Sequence, residues 1–364
     1  MENRNQKALI AMSGGVDSSV AAYLMQQEGY DCLGVTMKLF DGTSEEEGQH
    51  TCCSLDDVED ARYVARRLGM PHYVMNFTRE FETAVIDRFV EYYEKGWTPN
   101  PCIYCNRYLK FEKLYRRSLE LGCDCIVTGH YARVAYDAES GRWLLKRARN
   151  LRKDQSYVLC FMTQEQLSHT RFPLGEFEDK EEIRQIAEEK HFINARKHDS
   201  QDICFVPDSD YAAFIRRRTG KPYPAGDFVN EDGQVLGTHK GMISYTIGQR
   251  KGLGLALPAP LYVKKKDMEK NQVVLAGEKD LYSRELHAED VNWISMPEPP
   301  AGTVLHVSAK PRYRAVEAPA SVSINPDHTI TVLFDEPQRA LTLGQIVVLY
   351  QGDTVVAGGT ISHT

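Results

Sequence analysis

The sequence predicts three units in order: an α/β unit built on a parallel sheet, a small central linker unit, and a C-terminal β-barrel. Three observations carry this. Apolar runs of strand length at Ala8–Ala11, Cys32–Met37, His72–Phe77 and Cys125–Thr128 alternate with amphipathic stretches, the pattern of βαβ units sharing one parallel sheet. From Lys221 the composition changes to Gly-rich segments such as Gly248–Gly254 and to the run Lys264–Lys266. After the Pro-rich break Met296–Ala301, short β-rich runs lie between turns at Thr303–Ala309, Ala320–Ile324, Ile330–Phe334, Ile346–Tyr350 and Val355–Ile361. At 364 residues the chain exceeds one ordinary domain, and the expected divisions are 1–206, 207–281 and 282–364.

The first element organises the rest. Ala8–Val20 reads ALIAMSGGVDSSV, a buried strand, a tight turn and the start of a helix. Gly14 and Gly15 let the backbone turn sharply and approach a ligand, while Ser13, Ser18 and Ser19 add hydroxyls near the helix N-terminus. This is an anion seat, and it differs from a Walker loop because no lysine follows the glycines. A helical stripe over Ser18–Glu28 leads to the second strand, and the acidic Phe40–His50 reads as a surface loop near that strand's carboxyl end, where α/β sheets place ligands. Ser54–Asp57 resembles a capping box opening a helix to Leu68. Thr78 is expected to cap a long helix to Trp97 with Phe81, Val85, Phe89 and Tyr92 on one stripe.

Thr98–Asn106 reads TPNPCIYCN, and its prolines and asparagines predict a loop carrying Cys102 and Cys105, with a helix over Tyr108–Leu121 behind it. The strand Cys125–Thr128 ends in Gly129-His130-Tyr131, a second point of ligand approach. A hairpin is predicted at Val134–Tyr136 and Arg142–Leu145, then a basic run over Lys146–Lys153 that reads equally as a solvated turn or as a polyanion contact. Helices are expected over Glu181–Lys190 and Asp210–Arg218, with Ser200–Phe205 between them bringing Cys204.

Hydrophobic residues make up 42% and charged residues 26%, a soluble globular composition. No apolar run approaches a membrane span, and the first strand begins within ten residues of Met1, so a cytoplasmic protein without a leader is expected. Its nine cysteines should then be reduced, which favours metal binding or thiol chemistry over disulfides for clustered ones. The C-x-x-C of Cys102 and Cys105 leaves zinc, redox and iron–sulfur readings open. Cysteines 32, 123, 125 and 160 read as structural, and the adjacent Cys52–Cys53 as poor joint ligands. A formal net charge of −7 argues mildly against a polyanion partner without excluding local basic patches.

The loop S-G-G-x-D-S resembles the pyrophosphate-binding loop of the ATP pyrophosphatase superfamily, whose members split ATP to AMP and pyrophosphate and adenylate an oxygen. The order S-G-G-V-D-S, N-P-x-x-x-C-N, T-G-H-Y, K-D-Q-S-Y and the Cys204–Phe205 pair, with G-x-x-S-Y-T-I-G-Q-R-K-G at Gly241–Gly252, resembles the tRNA-specific 2-thiouridylase family over essentially the whole chain. The resemblance implies a Rossmann-like α/β catalytic fold, ATP with Mg2+, and exchange of oxygen for sulfur at C2 of the wobble uridine of tRNA. It would place ATP on Ala11, Met12, Ser13, Gly14, Gly15, Val16, Asp17 and Ser18, with Met37 near the adenine and Gly129 close by. Asn100, Pro101 and Cys102 would meet the target base. His130, Lys153, Asp154, Gln155, Arg312, Tyr313 and Gln345 would touch tRNA. Cys105 resembles the catalytic cysteine and Cys204 the one that carries a persulfide, with sulfur coming from a persulfide-carrying protein or from hydrosulfide.

One position departs from the commoner N-P-D-x-x-C-N pattern: Cys102 stands where a carboxylate would be, so acid–base schemes needing it there lose their group. The three-cysteine variants resemble enzymes that hold a [4Fe-4S] cluster on Cys102, Cys105 and Cys204, and the sequence favours that cluster over a purely persulfide route. Two rivals remain: another ATP pyrophosphatase, a ligase or synthetase acting on a small molecule, and a non-enzymatic RNA-binding protein. The first has no use for the three cysteines, and the intact Ser13–Ser18 loop argues against the second.

Overall fold

The computed structural model of the chain describes residues 6–40, 55–197, 203–206, 210–256 and 259–364. The predicted loop from residue 41 to His50, the Cys52–Cys53 pair, the Ser54 cap and Ser200–Asp202 lie outside the described residues.

The apolar run β1 (Lys7–Ala11) lies mid-sheet between β2 (Asp31–Lys38) and β4 (Cys125–Val127), with β3 (His72–Asn76) and the two-residue β7 (Thr170–Arg171) at the edges; every pairing is parallel. Strand alternation sorts β1 between two cores. Leu9 faces an aromatic-rich cluster with Phe81, Phe89 and Phe111, while Ala8 and Ile10 face the helices α1 (Val16–Gln27) and α2 (Leu55–Arg67). This is the α/β unit the sequence predicts, and the carboxyl ends of β1, β2 and β4 share one rim.

Two helical stretches differ from expectation. In the first, α3 (Thr78–Phe81) and α4 (Asp87–Glu94) join through π-helical turns at Glu82–Ile86. Thr78 is not its cap: Phe77 holds that position, and the side chain of Asn76 accepts the Thr78 N–H at 3.0 Å. The second begins inside the stretch expected as a loop. Pro101 opens α5 (Pro101–Tyr104), which runs through π-helical turns at Cys105–Leu114 into α6 (Tyr115–Glu120). Proline lacks only an N–H that the first helical position leaves unpaired, and its fixed φ suits that position. Cys102 and Cys105 therefore lie one turn apart on a helix, not on a loop.

The predicted hairpin, β5 (Ala132–Asp137) and β6 (Arg142–Arg147), leaves the parallel sheet and pairs through Lys146 with Thr354 of the C-terminal unit. The helices α7 (Gln164–Ser168), α8 (Lys180–Glu189) and α9 (Tyr211–Thr219) complete the first half. A small sheet of β8 (Gly226–Val229), β9 (Val235–His239), β10 (Tyr262–Asp267) and β11 (Gln272–Ala276) packs on Phe228, Val263, Val273 and Leu275. The barrel then closes in the order β12 (Tyr282–Trp293), β15 (Ile330–Arg339), β14 (Ala318–Ile324), β13 (Val304–Lys310), β16 (Ile346–Gln351), β17 (Thr354–His363) and back to β12. β12 is absent from the sequence reading: its Arg, Glu and Asp residues hide the alternation, and Asp290 breaks it with φ 51°.

The barrel is stitched to the first unit through polar contacts that fix the Cys102–Cys105 helix. Arg107, two residues past Cys105, forms a bidentate pair with Asp290. Gln345 donates its side-chain amide to the Thr98 carbonyl at 2.9 Å, and Leu343 O accepts the Thr98 N–H at 2.9 Å. The buried Tyr157 hydroxyl donates to Ile346 O at 2.7 Å.

Candidate functional site

At the rim of the sheet, the turn after β1 is built as the sequence predicts. Gly14 takes φ 75°, and a Cβ there would lie 2.4 Å from the Asp57 carbonyl oxygen, so only glycine lets the loop close onto α2. Ser18 Oγ accepts the Ser13 N–H at 3.2 Å and donates to Gly15 O at 3.0 Å, while Ser19 Oγ donates to Gly15 O at 3.1 Å. Gly15 caps α1 without a side-chain hydrogen bond, so no cap side chain covers the backbone amides of the helix's first turn. Met12, just past β1, and Met37 on β2 are buried behind this rim. Gly129, two residues past β4, lies against α1: a Cβ there would sit 2.7 Å from Ser18 N and 2.8 Å from Asp17 C. Residues 11–18, Met37 and Gly129 thus share one rim.

Four further residues hold this turn; of these only Tyr131 is named from the sequence, as part of a strand end and without a role. The Tyr131 hydroxyl donates to Asp17 Oδ1 at 2.7 Å, and Lys180 Nζ lies 3.4 Å from Asp17 Oδ2. Asn194, nearly fully buried, donates to Gly14 O at 2.8 Å and to Ser19 Oγ at 2.9 Å. Lys197 pairs with Asp57 at 2.7 Å and Asp60 at 2.5 Å, fixing the α2 turn on which Gly14 rests. Tyr131 and Lys180 carried a signal. Tyr131 follows the Gly-His of a strand end, and Lys180 interrupts an acidic first helical turn. For Asn194 no local pattern exists.

The second half of the site gathers around the cysteine helix. Cys102 is exposed, whereas Cys105 and Cys204 are half-buried and pack against the same apolar cluster. Tyr313 reaches over from the barrel: burial first, then the charges of Asp154 and Cys102, push its phenol pKa up. Lys310 Nζ lies 5.6 Å from the Tyr313 ring centre and 5.8 Å from that of Tyr157. Arg312 is half-buried, and burial followed by the nearby charge of Arg339 lowers its pKa. So Tyr313 and Lys310 of the barrel pack onto Tyr157, just past the turn at Asp154, and Tyr313 feels the Cys102 charge.

Several residues expected at a tRNA surface also have structural work. His130 is buried between Phe111 and Phe172 with Nδ1 2.7 Å from Thr128 Oγ1, and burial, then Lys110, holds its pKa well below the usual value. Asp154 accepts from Ala148 N–H at 3.0 Å and from Ser156 Oγ at 2.8 Å, and burial raises its pKa despite these bonds. Gln155 binds the Tyr131 backbone in both directions, at 2.9 and 2.8 Å. Gln345 is occupied with the Thr98 carbonyl. Nor is the basic run simply solvated: Lys146 pairs with Asp353 at 3.2 Å, Arg147 with Glu317, and Arg149 with Glu176 at 3.0 Å.

Thiol environments divide the cysteines. Cys32, Cys123, Cys125 and Cys160 are buried, and burial pushes the Cys32 thiol to about 12 and Cys125 to about 11, which leaves them inert at neutral pH. Among the described residues no three His, Cys, Asp or Glu side chains are gathered to hold a metal ion. Of the three cysteines expected together, Cys105 and Cys204 are each half-buried at the margin of the first unit's large apolar core, and Cys102 is exposed on the first turn of α5.

Family models match nearly the whole chain: "tRNA methyl transferase HUP domain" over residues 6–208, "tRNA methyl transferase PRC-barrel domain" over 212–277 and "Aminomethyltransferase beta-barrel domain" over 283–361. Over 363 residues the chain is 49% identical to the tRNA-specific 2-thiouridylase MnmA of Clostridioides difficile strain 630, covering 99% of each. It is 49% identical over 361 residues to the protein of that name from Acetivibrio thermocellus, covering 98% of this chain and 99% of the relative. Among solved structures it is similar to a 4-thiouridine synthetase–RNA complex with bound ATP (18% identity, TM-score 0.37, 59% of this chain and 50% of that one). It is also similar to an NMN synthetase from Francisella tularensis (15% identity, TM-score 0.36, 61% and 80%). Both likenesses are too slight to argue from.

Proposed function

The chain belongs to the tRNA-specific 2-thiouridylase family, and from that premise we propose that it replaces oxygen by sulfur at C2 of the wobble uridine of tRNA at the expense of ATP. The observation that carries the reading is the junction itself. The serine- and glycine-lined turn before α1 lies on the same unit as a helix bearing Cys102 and Cys105, and the barrel residue Tyr313 lies within reach of the Cys102 charge.

The chemistry follows from the groups present. A C2 oxygen is a poor leaving group, so the seat at Ser13–Ser18 binds the pyrophosphate end of ATP while the α-phosphorus is transferred to that oxygen. Mg2+ needs only one or two carboxylates besides phosphate oxygens, and Asp17 is the carboxylate at the seat. A sulfur nucleophile then attacks C2 and AMP departs with the oxygen. A persulfide's outer sulfur is one two-electron step more oxidised than the thiocarbonyl sulfur it becomes, so once it has bonded C2 a second thiol attacks the carrier's own sulfur and breaks the S–S bond to release the thiocarbonyl. That thiol is left in a disulfide with the carrier, which an external thiol must reduce before the next turnover. We assign the persulfide to Cys204 and the second thiol to Cys105, the two half-buried cysteines. Asn100, Pro101 and Cys102 form the helix start that meets the base, with Lys153, Arg312 and Tyr313 on the tRNA side and His130, Asp154, Gln155 and Gln345 holding that surface in shape. A [4Fe-4S] cluster on the three cysteines is the competing sulfur carrier. Such a protein works in the cytoplasm; no helix among the described residues is long and apolar enough to cross a membrane.

Pyrophosphate release should depend on tRNA carrying the target uridine and not on a small acid with ammonia, with 2-thiouridine found in the product by mass spectrometry. Asp17→Asn is expected to slow that release about a hundredfold by removing the charge that Lys180 and Tyr131 orient. Release from the variant at the wild-type rate would remove Asp17 from the site. Tight tRNA binding with no pyrophosphate formed under any condition would leave only the RNA-binding reading.

Arg312→Ala tests the barrel's share. It should weaken tRNA binding and reduce the slope of log affinity against log salt by about one phosphate contact, without changing pyrophosphate chemistry at saturating tRNA. An unchanged slope would make Arg312 a packing residue beside Arg339.

A further inference from the structure

Transfer of the persulfide sulfur leaves Cys105 and Cys204 joined in a disulfide, and that pair is poorly placed for an outside reductant. Both cysteines are half-buried and pack against the first unit's apolar core, whereas Cys102 is exposed; the other four described cysteines are buried. Cys102 is also the nearest thiol along the helix. Pro101 opens α5, Cys102 follows it, and the Cys105 N–H is shared between the carbonyls of Pro101 and Cys102. A bond to the carbonyl three residues back tightens the turn, and side chains three apart on a helix are already neighbours, with roughly 5–6 Å between their Cβ atoms. A disulfide needs roughly 3.5–4.5 Å, so closing Cys102 onto Cys105 takes a shift of about 1–2 Å. That shift falls in the first turn of a helix, where fewer intrahelical bonds hold the chain.

We propose that Cys102 is the resolving thiol that resets the site, moving the disulfide from the half-buried Cys105–Cys204 pair to the exposed end of the helix. The Cys102 thiolate attacks Cys105 Sγ, an S–S bond forms between them, and the bond to Cys204 breaks, with Cys204 leaving as a thiolate that takes up a proton. No electrons enter or leave the protein in this exchange. An external protein dithiol then reduces the Cys102–Cys105 disulfide from solvent by two electrons and is itself oxidised to a disulfide. Cys204 is meanwhile free to accept the next sulfur, so reloading does not wait for the reductant. An aspartate at this position, as in the commoner motif, cannot make the exchange, and the inner disulfide is then reduced directly. The proposal rests on the persulfide reading of Cys105 and Cys204.

A single turnover shows where the disulfide rests. The full chain is loaded with persulfide, mixed with ATP, Mg2+ and tRNA without reductant, quenched in acid and alkylated, and its disulfides are mapped by peptide mass spectrometry for wild type and Cys102→Ser. Wild type should carry Cys102–Cys105 with Cys204 alkylated, and Cys102→Ser should stop at Cys105–Cys204. With a protein dithiol as sole reductant, later turnovers of Cys102→Ser should fall about tenfold relative to its own first one, and dithiothreitol, small enough to reach the inner pair, should recover most of the loss. Wild-type protein that keeps Cys105–Cys204 would overturn the proposal and leave the persulfide reading standing. So would Cys102–Cys105 in wild type with no Cys105–Cys204 in the variant, since the outer disulfide then does not arise by exchange. Wild-type protein that thiolates tRNA and forms no disulfide at all would overturn the persulfide reading, and this proposal with it.

Discussion

Gly129→Ala is expected to cut ATP-dependent adenylation about a hundredfold in a chain that still folds. The added Cβ would lie 2.7 Å from the backbone nitrogen of Ser18, 2.8 Å from the carbonyl carbon of Asp17 and 3.1 Å from Asp17 Cβ. Two of these three atoms are main chain, so no side-chain rotation relieves the contact and the start of α1 must move away from β4. Overpacking of this kind costs about 1–3 kcal/mol, which a chain of this size tolerates. The displaced turn, however, carries the amides and hydroxyls of the pyrophosphate seat, and a misplacement approaching 1 Å at such a site costs about two orders of magnitude in rate. Gly129 does not have a left-handed φ, so alanine brings no backbone strain that would confuse the result. The measurement is tRNA-dependent pyrophosphate release, with thermal melting to establish folding. A wild-type rate in a folded variant would show that α1 absorbs the methyl group without disturbing the seat.

How far this seat is legible in the sequence depends on where its bonds run. Ser13, Gly14, Gly15 and Ser18 interact with one another within a few residues, so their pattern is readable without a fold. The groups that orient the seat come from elsewhere: Tyr131 is 114 residues from Asp17, Lys180 is 163 residues from it, and Asn194 is 180 from Gly14. No window along the chain contains those pairs. The misread Thr98–Asn106 has a different origin. Proline predicts a break wherever it stands, and whether it ends one element or starts the next depends on the residues after it. Here those residues continue into π-helical turns, and the barrel's Leu343 and Gln345 hold the preceding segment at Thr98. The basic run at Lys146–Lys153 shows the same limit. Its charges look solvated in sequence because Asp353, Glu317 and Glu176, which pair with them, belong to segments further along the chain.

Cys102 decides how sulfur reaches the base. With Cys105 and Cys204 half-buried and Cys102 exposed, the expected result of the persulfide assignment is an unequal series. Cys105→Ser and Cys204→Ser should each lose thiolation by about a thousandfold or more, because a persulfide carrier and the thiol that resolves it work as a unit. Cys102→Ser should still bind ATP and tRNA and keep a large share of activity when a persulfide donor is supplied. Cys102→Asp, which restores the commoner motif, should do at least as well, since a carboxylate at the start of α5 also suits the helix dipole. The cluster route makes the opposite demand: three thiolates leave one iron open, so removing any of them costs iron and thiolation together. Protein prepared without oxygen is therefore analysed for iron and sulfide alongside its thiolation rate. Iron-free wild-type protein that thiolates tRNA from a persulfide donor establishes Cys105 and Cys204 as the working pair. Loss of iron and activity together in Cys102→Ser would overturn that pairing and make Cys102 the third ligand of a cluster that the two segments close around.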